Sequence, residues 1–113
     1  MMVYDKANEL AAEIKASDEY RRFSAAREAV KDDGMTMNLL KEYRRLQLRA
    51  QAAIVGGEED PDTMEKLQKL GELLQMDKAA SEYLIAEFML SRMVGDVYKI
   101  LADAVGLDLS MLE

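Results

Sequence analysis

Apolar residues recur along the chain at spacings of three and four, and a few capping signals separate the runs they form. In the first run Val3, Ala7, Leu10 and Ile14 lie opposite a polar face of Asp5, Lys6, Glu9 and Glu13. That pattern predicts an amphipathic helix from Val3 to about Lys15. Ser17 follows as an N-cap, with Asp18 and Glu19 where the positive end of a helix dipole favours anions. A second helix is therefore expected from Asp18 to about Lys31, burying Tyr20, Phe23, Val30 and either Ala26 or the stem of Arg27. The DDG at 32–34 predicts its end, with Gly34 in the left-handed cap position. A third helix, opened by Thr36 or Asn38, runs to Val55. Its Leu39, Tyr43, Leu46, Ala50 and Ala53 make a heptad-like seam, widened by Leu40, Leu48, Ile54 and Val55. Gly56-Gly57 stop it. Asp60-Pro61 then join an N-cap acid to a proline suited to the first helical position, and Met64, Leu67, Leu70, Leu73 and Leu74 carry a fourth helix to Gln75. At Met76-Asp77 a break and a bend both fit the pattern.

The last predicted helix, Lys78 to Val105 with Gly106 as its cap, differs from the others. Projected at 100° per residue, Tyr83, Ala86, Leu90, Met93, Val97, Ile100 and Ala104 form a heptad seam, and Leu84, Val94, Tyr98, Leu101 and Val105 extend it round one side. The apolar arc is about 220° wide, where a simple surface helix needs roughly 100°. Arg92, Asp96, Lys99 and Asp103 fill the remaining arc, so four ions would face lipid if this helix crossed a membrane. At 1.5 Å per residue the helix is about 42 Å long, against a diameter of roughly 34 Å for a compact chain of this size. Its surplus apolar surface is expected to be covered by a second copy, with Tyr83, Ala86, Leu90, Met93, Val97, Ile100 and Ala104 as the interface of a dimer or tetramer. The fold expected is all-α: about five helices in an elongated bundle, forming one domain over residues 1–113.

Composition narrows the chemistry. The chain has 113 residues, half of them hydrophobic and a third charged, with one proline and six glycines, which suits one helical domain and leaves little punctuation for an all-β fold. There is no cysteine and no histidine. Thiolate and imidazole nucleophiles, histidine acid/base pairs, structural zinc sites and cysteine-bound iron–sulfur clusters are therefore excluded. No signal-peptide run opens the chain, so a cytoplasmic location is expected. The net charge of −7 is uneven: residues 18–56 are mildly basic and residues 57–113 strongly acidic, which disfavours a nucleic-acid partner for the protein as a whole.

Four clusters invite a functional reading, and each has a plainer one. Lys41, Arg45 and Arg49, with Arg44 beside them, form a basic stripe on the third helix that would suit RNA or an acidic protein surface. A solvated face paired with the chain's own acids is the commoner outcome, and no aromatic residues interleave to stack bases. GEEDPD at 57–62 offers four acids, but the spacing departs from the calcium-loop pattern, and a solvated turn with an N-cap accounts for it. Glu87 projects into the apolar arc and is expected as a buried charge paired with an arginine of the second or third helix. No nucleophile accompanies it, so no catalytic, metal or cofactor residue is assigned. Met64, Met76, Met89, Met93 and Met111 would suit an adaptable groove or ordinary core filling. The tail GLDLSMLE reads as a docking peptide or as an end folded over the partner helix.

Taken together, YDKANELAAEIKASDEYRRFSAAREAV at 4–30, LLKEYRRLQLRAQ at 39–51 and AEFMLSRMVGDVYKILADAVGLDL at 86–109 resemble the YlbF/YmcA family of small bacterial helical proteins. The stretch YRRLQLRAQ followed by GGEE is similar to that family's cysteine-free YheA branch. The resemblance covers nearly the whole chain, through helical patterns and not a catalytic signature. It implies an all-α, non-enzymatic, self-associating regulator. Its best-known members are linked to competence, sporulation and biofilm formation, in a complex that modulates RNase Y and messenger RNA processing. Some of those members bind iron–sulfur clusters through cysteines that this chain lacks, so no cofactor carries over. Tyr4, the cap from Ser17 to Tyr20, and Ala86-Glu87 match the family pattern and imply structural roles.

Overall fold

In the computed structural model, which describes residues 1–107, five α-helices follow one another: α1 (Met2–Lys15), α2 (Asp18–Lys31), α3 (Gly34–Val55), α4 (Pro61–Met76) and α5 (Lys78–Val105). Residues 108–113, including Met111 and most of the tail, lie outside the described residues. Among the described residues there is no strand.

The capping chemistry explains where the helices begin and end. Ser17 Oγ accepts a hydrogen bond from Tyr20 N–H at 3.2 Å and opens α2 as its sequence position implies. The α2–α3 junction corrects the expectation. Gly34 does not take a left-handed conformation but is the first residue of α3, because the Asp33 carboxylate captures Thr36 N–H at 3.1 Å and becomes the N-cap. Neither Thr36 nor Asn38 opens the helix. Asp60 caps α4 in the same way through Thr63 N–H, with Pro61 at the first helical position. At the end of α3, Gly57 N–H bonds to Ile54 O and Glu58 N–H to Ala53 O, the paired bonds of a Schellman motif. Gly57 takes φ 71°, which glycine adopts without the Cβ penalty. The doubt at Met76-Asp77 resolves as a break: Asp77 ends α4 in an extended conformation, and its carboxylate accepts from Ala80 N–H to open α5.

The chain divides into two compact units. One runs from Ser24 to Leu84 and holds the main core, where Val30, Leu40, Leu46, Leu70, Leu74 and Ala80 are buried together. Met37, Leu39, Tyr43, Leu67, Tyr83 and Leu84 pack against them. Helices α3 and α4 form its antiparallel hairpin, with Gly71 of α4 against the ring of Tyr43 of α3. Each large side chain fully buried here contributes about 1.5–3 kcal/mol. The other unit comprises Met1–Phe23 and the chain from Ile85 onward. In it α1 buries no residue; Leu10 and Ile14 are half-buried, while Val3, Tyr4 and Ala7 stay exposed. Along α5 in this unit, Ala86 is buried and Leu90, Met93 and Val97 are half-buried. Arg22 Nη1 of α2 points at the sulfur of Met89 from 3.1 Å.

Thr36 links two caps. Its hydroxyl oxygen lies 2.9 Å from Asp33 Oδ2 and 2.8 Å from Asp77 Oδ2, and Thr36 itself is buried. One hydroxyl proton serves one carboxylate at a time, so the N-caps of α3 and α5 share it. Thr63, also buried, serves Asp60 alone among the described residues. Thr36→Val is expected to cost about 1–2 kcal/mol and Thr63→Val less, read from urea unfolding midpoints. Equal costs would show that the shared hydroxyl adds nothing beyond one cap.

Candidate functional site

Arg45 and Arg49 of the basic stripe on α3 are engaged by carboxylates of their own chain. Arg45 Nε donates to Glu42 Oε2 at 3.0 Å, which holds the Glu42 carboxyl below its ordinary pKa and raises that of Arg45. Arg49 Nε lies 3.5 Å from Asp60 Oδ2 across the hairpin turn. Lys41 and Arg44 are exposed on the same helix. The stripe thus acts in part as a pairing surface for acids, and its exposed pairs contribute little each.

Asp60 and Asp77 are both held below the ordinary carboxylate range. For Asp60 the Thr63 hydroxyl is the largest cause, followed by Thr63 N–H, with Arg49 adding to them. For Asp77 it is Ala80 N–H, then the Thr36 hydroxyl. A carboxylate with a depressed folded pKa contributes stability that is complete above its unfolded value, about 3.9, and is lost as pH falls through the lower folded value. Urea midpoints are therefore expected to fall with acidification below about pH 4, and Asp60→Asn with Asp77→Asn should flatten that fall. An unchanged acid limb in the double variant would contradict the capping account.

The expected interface seam is divided by the fold. Ala86 is buried and Tyr83, Leu90, Met93 and Val97 are half-buried, whereas Ile100 and Ala104 are exposed. Glu87 is half-buried. Next to this seam a second row stands open: Val94, Tyr98, Leu101 and Val105, all exposed, at steps of four, three and four. Phe88 and Ile85 are exposed on the same helix. Sequence projection saw Val94, Tyr98, Leu101 and Val105 as the flank of one wide arc and did not separate the side used within the chain from the side left open.

A second apolar surface lies wholly on the α3–α4 hairpin. Ala50, Ala53, Ile54 and Met64 floor an open groove of about 360 Å³ beside Glu58 and Glu59. Sequence reading missed it, because its floor comes from two helix ends that meet only in the fold. Among the described residues no group of acids converges to hold a metal ion, and no helix is long and apolar enough to cross a membrane.

Comparison with known proteins agrees with this all-helical arrangement. The family model described as control of competence regulator ComK, YlbF/YmcA, matches residues 3–106. The chain belongs to the YlbF/YmcA family. Its relatives include a UPF0342 protein of Desulfitobacterium hafniense, 38% identical over 106 residues that cover 93% of this chain and 86% of that protein. A UPF0342 protein of Symbiobacterium thermophilum is 36% identical over 108 residues, 95% of this chain and 96% of that one. Neither that family description nor these relatives' names denote an enzyme. A solved structure described as a protein of unknown function (DUF964) from Bacillus stearothermophilus superposes with a TM-score of 0.75 at 23% identity, covering 94% of each chain. That likeness shows the all-α fold, and the family match spans nearly all the described residues.

Proposed function

We propose that this chain is a non-enzymatic cytoplasmic regulator that acts through self-association and protein contacts, in the manner its YlbF/YmcA membership suggests. The observation that carries the reading is the open row of Val94, Tyr98, Leu101 and Val105 on α5. These four residues expose on the order of 400 Å² on one side of the helix, about half of one partner's share of a standard interface. A single apolar patch of that size on a small protein is often a functional contact. A heptad-spaced row fits a helix of like spacing, and a second α5 supplies one by two-fold symmetry. The targets proposed are RNase Y and its associated proteins, hence messenger RNA processing in competence, biofilm formation or sporulation.

The test is an affinity capture from the native host, with tagged wild type beside a Tyr98→Asp/Leu101→Asp variant. Recovery of RNase Y or its associated proteins by the wild type alone is expected. A wild type that recovers only itself would remove the RNase Y assignment while leaving self-association to be judged by mass.

A further inference from the structure

The groove at the α3–α4 turn has a built form and a sign of charge. Its floor is apolar, and two large side chains on it are left open to water, Ile54 at 73% and Met64 at 54% exposure. Its wall is fixed at both ends, by the Schellman bonds through Gly57 and Glu58 and by the Asp60 cap on Thr63. Asp60 is committed to Thr63 and Arg49. Glu58 and Glu59 are exposed at the rim, and neither forms an ion pair among the described residues.

We propose that this groove docks a cationic amphipathic segment of a partner protein, its apolar residue on Ile54 and Met64 and its lysines or arginines against Glu58 and Glu59. The inference rests on the reading of the chain as a protein-contact regulator, but it uses residues of α3 and α4 alone. Charge complementarity selects the occupant. Phosphate-bearing partners, both nucleic acid and anionic lipid, meet repulsion at this rim. A second copy approaching about a two-fold axis would set Glu58 and Glu59 against their own duplicates. A basic helix instead gains the apolar contact and the two carboxylates together. Methionine on the floor adapts to side chains of different shape. An apolar residue of leucine or phenylalanine size fits a groove of about 360 Å³.

The experiment is fluorescence anisotropy on the full chain with a labelled leucine–lysine amphipathic peptide of about 18 residues, five helical turns. A counterpart with every lysine replaced by glutamate is the control peptide. The lysine peptide is expected to bind and the glutamate peptide not to. Glu58→Lys/Glu59→Lys should weaken binding roughly tenfold or more, and Met64→Ser several-fold, as expected where a few groups dominate an interface. Asp96→Lys/Asp103→Lys on α5 makes the same change in net charge and should alter the Kd less than about twofold. Equal losses in the two charge-reversed variants would reduce the binding to general acidity and overturn the proposal. Absence of binding, or binding of the glutamate peptide, would overturn it as well. Sedimentation of Glu58→Lys/Glu59→Lys should match wild type. A changed mass would make the groove a self-contact and also overturn the proposal, whereas an altered mass only in the Tyr98→Asp/Leu101→Asp variant bears on the α5 reading alone.

Discussion

Leu74→Ala is expected to lower the unfolding free energy by about 3–4 kcal/mol, while the same change at its neighbour Leu73 should cost less than about 1 kcal/mol. Leu74 has no exposed surface and sits in the cluster of Val30, Leu40, Leu46, Leu70 and Ala80. Truncation there loses the transfer free energy of the removed carbons and leaves a cavity that the surrounding core closes only in part. Leu73 is 55% exposed, about 100° round α4 from Leu74. A small domain has roughly 5–15 kcal/mol in total, so the Leu74 variant loses a large share of its stability. Urea unfolding followed by helical circular dichroism, at one protein concentration for all variants, measures both. Similar losses at the two positions would mean that the core is not where the packing places it.

Tyr98→Asp with Leu101→Asp is expected to weaken self-association by roughly two orders of magnitude or more while leaving helix content unchanged. Both side chains stand open on the chain, at 58% and 57% exposure, so the fold loses little when they become charged. The association, by contrast, would have to bury two carboxylates per copy in an apolar seam. Aspartates at Met93 and Val97 would give a different result. Those residues are half-buried, and charging them should damage the fold itself, with lost helicity in place of a clean change in mass. A Tyr98/Leu101 variant that keeps the wild-type mass would exclude this row as the contact.

Most of the helices are legible in the sequence because their ends are written in local chemistry. Ser17, Gly56-Gly57, Asp60-Pro61 and Gly106 each stop or start a helix as their residue types dictate. Gly34 misled because a glycine after two acids suits a C-terminal cap, yet Asp33 and Thr36 repeat the acid-to-threonine spacing of Asp60 and Thr63 and cap α3 in the same way. The break at Asp77 depends on Thr36, 41 positions earlier in the chain, as well as on Ala80. No local reading sees that link.

Core membership follows the same division. Val30, Leu46, Leu70 and Leu74 were legible from periodicity and are buried or packed in the core. The width of the α5 arc was legible too, but its partition between Leu90, Met93 and Val97 on one side and Val94, Tyr98 and Leu101 on the other is set by tertiary packing. Residues for the groove on Ile54 and Met64 lie on different helices with the GGEED turn between them, so one-dimensional periodicity had no means of joining them.

Sedimentation equilibrium of the wild-type chain across micromolar concentrations tests the central claim of self-association most directly. The account predicts a mass of at least twice the 12.8 kDa of one chain, falling toward one chain on dilution. A mass of one chain at every concentration would contradict it.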